Sequence, residues 1–134
     1  MPDISIEYLG ELRTQITHGL SGVKLITDAP PDNQGKGESF SPTDLAAAAL
    51  GSCIMTIVGI AAKTHGISME GSKSKVEKIM ASDPRRIGEL VVDITFPSAL
   101  NQKERTILER AAHSCPVGRS LSNDLKETIQ FHYS

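Results

Sequence analysis

The chain has no tryptophan, and aromatic residues fill only 4% of its 134 positions. That scarcity argues against the stacking platforms that hold single-stranded nucleic acids. Net charge is -2, with 14 Lys and Arg against 16 Asp and Glu, which argues against a surface that tracks a phosphate backbone, since that needs clustered Lys and Arg. Nucleic acid is not an expected partner. Cysteine is scarce as well: Cys53 and Cys115 are the only two, no C-x-x-C occurs, and four histidines lie scattered. Structural zinc usually takes four ligands, and His113-Ser114-Cys115 is the nearest approach to a ligand cluster. No metal and no other cofactor is expected. Residues 1 to 10 alternate in polarity and carry Asp3 and Glu7, unlike the apolar core of a signal peptide. The expected location is cytoplasmic, where two cysteines are more often reduced thiols than a structural staple.

What is present fits one globular domain spanning residues 1–134, with 39% hydrophobic and 22% charged residues. Leu45 to Ala62 (LAAAALGSCIMTIVGIAA) runs without a charge, which reaches the lower edge of a membrane span. Six of those residues are Ala, and Gly51, Ser52, Thr56 and Gly59 dilute the run further. No interfacial Trp or Tyr anchors flank it, and Lys63 is the only basic neighbour. A buried core helix is the expectation, and no membrane partner.

The N-terminal third reads as strands. Ile4, Ile6 and Tyr8 alternate with Asp3, Ser5 and Glu7, the period of a half-buried strand. Turns at Gly10-Glu11 and Gly19 to Gly22 lead into Leu12 to Thr17 and Val23 to Thr27. Residues 29–39 (APPDNQGKGES) form a loop by composition. Ser41 then offers a helix cap, Pro42 fits the first helical position, and Asp44 completes a capping-box pattern. The helix can run to His65, about 36 Å, with Gly66 as a left-handed stop. It is apolar nearly all round, so every side must be covered. A second copy of the chain is the expected cover, hence a homodimer with this helix near the interface.

Residues 72–81 alternate weakly, Asp83 to Arg86 turn, and residues 88–96 place Leu90, Val92, Ile94 and Phe96 on one face. A second helix starts from an Asn101 cap with Glu104 three residues on, burying Ile107, Leu108, Ala111 and Ala112. Pro116 biases Cys115 away from helical angles, so that helix breaks there. A short turn or helix follows, and a last strand spans 128–133 with Ile129, Phe131 and Tyr133 inward. The order βββ-α-ββ-α-β segregates strands and helices, an α+β class.

The cysteines sit in informative places. Cys53 lies mid-helix, well beyond the reach of the N-terminal dipole. A cysteine there is either an inert small hydrophobe or, with small Gly51 and Ser52 beside it, a thiol with room for a substrate or a partner thiol. Cys115, at a helix end, is free to approach. His65 suits a helix end, and His113 either hydrogen-bonds near Cys115 or has a capping or surface role. Arg119 either binds a carboxylated substrate or is solvated, and Arg85-Arg86 reads as a solvated turn.

SPTDLAAAALGSC (Ser41 to Cys53) and HSCPVGRSL (His113 to Leu121) resemble the two cysteine motifs of the OsmC/Ohr family, in a general OsmC-like branch. The element order and the separation of the cysteines fit over nearly the whole chain. The resemblance implies an OsmC-like fold: antiparallel sheets around long central helices in an intertwined homodimer, with a site at each subunit interface. It implies a thiol-dependent peroxidase for organic or lipid hydroperoxides, in which Cys53 attacks and becomes a sulfenic acid. Cys115 then forms a disulfide with it, and a dithiol such as a lipoylated protein reduces the pair. The thiolate needs a nearby cation, which the family draws from its N-terminal β region. Arg13, the only Arg before residue 85, takes that role by default, or is an ordinary strand arginine. Peroxidase members carry Glu directly after the motif proline, orienting the arginine. Thr43 stands there in this chain. Asp44 either pairs with Arg13 or only caps the helix, and Glu38 is a second candidate. The departure keeps a second function open: a small-ligand-binding dimer with little or no turnover.

Overall fold

A computed structural model describes residues 3–97 and 99–134. Two compact units divide the chain, Met1–Ala46 and Ala47–Ser134. The first holds an antiparallel sheet of three strands in sequence order, β1 (Ile4–Gly10), β2 (Arg13–His18) and β3 (Lys24–Asp28). The register sets Ile6 opposite Ile16 and Ile16 opposite Leu25, which gathers the apolar side chains of all three strands on one face. In the chain as it stands that face is open: Ile4, Ile6 and Tyr8 are 64%, 65% and 64% exposed. Ile4, Ile16, His18, Val23 and Leu25 line a shallow apolar hollow of about 210 Å³. Alternation thus located the strand and its apolar side, but that side is not buried within the chain. The loop beyond β3 contains a single 3₁₀ turn, Pro31–Asn33.

Helix α1 (Pro42–Thr64) begins where the local chemistry requires. Ser41 N–H donates to Asp44 Oδ2 at 3.0 Å, and Asp44 N–H donates to Ser41 Oγ at 3.1 Å. This reciprocal box satisfies two of the donors that a helix start leaves open. Gly66, with φ +65°, provides the left-handed stop.

In the second unit α1 buries Ala47, Leu50, Ile54, Val58 and Ala62, the three- and four-residue spacing of one helical face. They pack with Leu90, Val92, Ile94, Phe96, Leu108, Ala112 and Cys115 in one core. Only that face is buried. Ala48, Ala49, Ser52, Thr56 and Ile60 stay exposed in the single chain. The helix is long and apolar enough to cross a membrane by length and composition, yet one stripe of it is built into a protein core.

Strands β4 (Lys73–Ala81), β5 (Arg86–Phe96) and β6 (Lys126–Tyr133) form the second sheet. β4 pairs antiparallel with β5, whose Leu90, Val92, Ile94 and Phe96 point to the core as expected. One pairing departs from the expected antiparallel sheets: β5 and β6 are parallel. The reason is the connection. Between them come α2 (Gln102–Ala112) and α3 (Pro116–Ser120), and a helical crossover returns the chain in its original direction. α2 starts from a full capping box, Asn101 Oδ1 accepting Glu104 N–H at 2.9 Å and Glu104 Oε1 accepting Asn101 N–H at 3.0 Å.

Candidate active site

Cys53 sits midway along α1 and is half-buried, while Cys115 is 2% exposed, and both are free thiols. They are neighbours: Cys53 packs against the cluster that includes Cys115. Burial pushes the Cys115 thiol above its ordinary value of 9.0, the Gly118 N–H opposes that, and the nearness of Cys53 raises it further. The sequence puts Cys115 at a break, and the structure gives the break a purpose. Cys115 is the N-cap of α3, its Sγ accepting the Gly118 N–H at 3.2 Å with Pro116 in the first turn. A sulfur thus does the work of the usual capping oxygen.

The small residues beside Cys53 do two different things. A Cβ on Gly51 would lie 2.7 Å from Val76 Cγ2, so Gly51 is where β4 approaches α1, and its space is already filled. Ser52 is exposed. His113 caps the C-terminus of α2 and meets the Phe131 ring edge-on at 6.0 Å. Arg119 is exposed. Arg86 does more than line a turn: its Nη1 donates to the carbonyls of Ser82 at 2.8 Å and Pro84 at 3.0 Å. Among the described residues no three of His, Cys, Asp and Glu gather to hold a metal ion.

In the first unit, Arg13 opens β2 directly opposite Asp28, the last residue of β3. Its Nη2 is hydrogen-bonded to Glu38 and reaches Asp28 Oδ2 at 3.5 Å. Asp28 Oδ2 also accepts the Glu38 N–H at 3.0 Å. The Asp28 carboxyl is held below 3.8 by the Glu38 N–H against the opposing effect of burial, with the Arg13 charge acting in the same direction as that donor. Of the two carboxylates considered for Arg13, Glu38 meets it in a hydrogen-bonded ion pair. The Asp44 carboxylate turns back to Ser41, because a third helical position faces the cap. Asp28 is a partner that no sequence motif flags. A β2–β3 hairpin registered from the Gly19 to Gly22 turn would have put it across from Arg13.

The model of the OsmC-like protein family matches residues 35–130. A proposed osmotic stress induced and detoxification response protein from Psychrobacter arcticus is 45% identical, with 98% of this chain and 96% of that one covered, at a TM-score of 0.94. An organic hydroperoxide resistance protein OsmC from Legionella pneumophila has 21% identity and a TM-score of 0.73, covering 98% of this chain and 96% of that one. An organic hydroperoxide resistance protein from Elizabethkingia anophelis has 13% identity and a TM-score of 0.78, covering 100% and 98%. The last two share the fold. No curated protein matches the chain. With a family model matched over most of its length and a solved relative of 45% identity along nearly all of it, this chain belongs to the OsmC-like protein family.

Proposed function

We propose that this protein is a cysteine-based peroxidase that reduces organic hydroperoxides in the cytoplasm. The observation that carries the reading is a pair of neighbouring, unequal thiols: half-buried Cys53 and buried Cys115, whose proton is held by its surroundings. A thiolate, not a thiol, attacks peroxide. Cys53 attacks the terminal oxygen, the O–O bond breaks, and the alkoxide takes a proton and leaves as an alcohol, with Cys53 as sulfenic acid. The Cys115 sulfur then attacks the Cys53 sulfur, water leaves, and a disulfide forms. An external dithiol, a lipoylated protein in the family pattern, restores both thiols by exchange.

The cation assigned to the Cys53 thiolate is Arg13, since position 53 lies beyond the reach of the α1 dipole. Resemblance to the family's peroxidases supports the assignment. So does the way Glu38 meets Arg13, supplying a carboxylate that Thr43 does not. Asp44 stays in the role of helix cap. The working unit is a homodimer, supported by the open apolar faces of β1–β3 and α1, since large exposed apolar patches mark interaction surfaces.

Thr43 favours a second reading, a dimer that binds a small apolar ligand without turnover. Consumption of cumene hydroperoxide with dihydrolipoamide as reductant separates the two. Peroxidase function predicts hydroperoxide loss that requires the protein and vanishes in Cys53→Ser. Thermal stabilisation by cumyl alcohol, with hydroperoxide untouched, would replace it with the second reading.

A further inference from the structure

Among the described residues, Arg13 Nε and Asp28 Oδ1 are two of three buried side-chain polar atoms without a hydrogen-bond partner. One is a donor, the other an acceptor, and they belong to residues directly opposite each other on β2 and β3. The second oxygen of Asp28 already lies 3.5 Å from Arg13 Nη2. A buried carboxylate is rare unless paired, and an unsatisfied buried acceptor costs its full desolvation. Turning the guanidinium so that Nε meets Oδ1 and Nη2 meets Oδ2 satisfies both atoms at once. The result is the two-bond fork that arginine and carboxylate favour.

The two carboxylates around Arg13 are unequal. The Asp28 side chain is 1% exposed and the Glu38 side chain 60%. Solvent and salt screen an exposed partner, and they screen a buried one far less. Asp28 is also fixed in place, on a strand end and with its Oδ2 tied to the Glu38 N–H. Glu38 sits on the loop that follows.

We infer that Asp28 is the positioning residue for Arg13, fixing the direction of its guanidinium through a two-bond fork, with Glu38 as an accessory, salt-sensitive partner. The functional consequence rests on the peroxidase reading, in which Arg13 activates Cys53; the fork itself does not.

The variant Asp28→Asn keeps the side-chain shape and an acceptor for the Glu38 N–H but removes the charge. The pH–rate profile of Cys53 alkylation by iodoacetamide should move up by about one pH unit, the lower end of what a nearby opposite charge does. Arg13→Ala should move it the same way, and the double variant no further, because both changes remove one interaction. Glu38→Gln should move it less, and high salt should erase that difference. A merely structural Asp28 would instead lower the melting temperature and leave the profile unmoved, or displace it further in the double variant. The fork is read separately by NMR of the Arg13 Nε–H in the parent chain. It should exchange slowly with solvent, whereas that of exposed Arg119 should exchange fast, and Asp28→Asn should abolish the protection. Fast exchange in the parent chain, or protection that survives Asp28→Asn, overturns the inference. A protected Nε–H combined with alkylation indifferent to Arg13→Ala would retire Arg13 as activator and leave its hold by Asp28 standing.

Discussion

At position 115 burial and one backbone donor act in opposite directions on the same sulfur, and burial is the stronger. Cys115 is therefore protonated at neutral pH, which suits a thiol that waits for a partner to be oxidised. Two measurable consequences follow. Iodoacetamide at neutral pH should label Cys53 well before Cys115, read by peptide mass. A folded pKa raised above 9.0 means that the native state holds a proton the unfolded state releases. The associated stability is fully present below pH 9.0 and is lost as pH rises from there through the folded value. In Cys115→Ser, denaturant titrations should lose that part of the alkaline decline. The same steepness in the parent chain and the variant would show that another group causes it. Position 13 illustrates the reach of sequence at this scale. The family resemblance asked for an N-terminal arginine with a carboxylate, which Arg13 with Asp44 or Glu38 could supply, but only strand register shows that Asp28 lies across from Arg13.

Elements were legible where their signals are local. Ser41, Pro42, Asp44 and Gly66 bound α1, and Asn101 with Glu104 start α2, since caps act within one turn. Ser41→Ala should accordingly cost about 1 kcal/mol in chemical denaturation. The parallel pairing of β5 and β6 was not legible, because alternation looks the same in either direction and only the crossover sets it. Gly51 is another case of meaning supplied by packing. Gly→Ala inside a helix gains up to about 1 kcal/mol by propensity. Here the new methyl would meet Val76 Cγ2 at 2.7 Å, and Val76 has few rotamers to yield with. Overpacking of about 1–3 kcal/mol should win, so Gly51→Ala is expected to destabilise. Val76→Ala should relieve that loss in the double variant. A Gly51→Ala protein more stable than the parent would mean that β4 does not approach α1 so closely.

At the scale of the whole molecule, apolar surface is left over. The α1 stripe carrying Ile60 and the β1–β3 face carrying Ile4, Ile6 and Tyr8 are open in one chain. For α1 the uncharged, mostly apolar run from Leu45 to Ala62 already implies as much, since one small domain rarely covers every side of such a helix. The proposed homodimer should sediment as a dimer at micromolar concentration, and a clean monomer there would remove it. On the proposed peroxidase reading, function at this scale is the oxidation of one thiol and its rescue by the other. The most direct measurement is intact mass with a free-thiol count before and after one equivalent of cumene hydroperoxide, run beside Cys53→Ser and Cys115→Ser. A Cys53–Cys115 redox pair predicts that the parent chain loses two hydrogens and both thiols, that Cys115→Ser traps an oxidised Cys53, and that Cys53→Ser is inert. A parent chain that keeps both thiols would contradict the peroxidase reading and leave the ligand-binding dimer in its place.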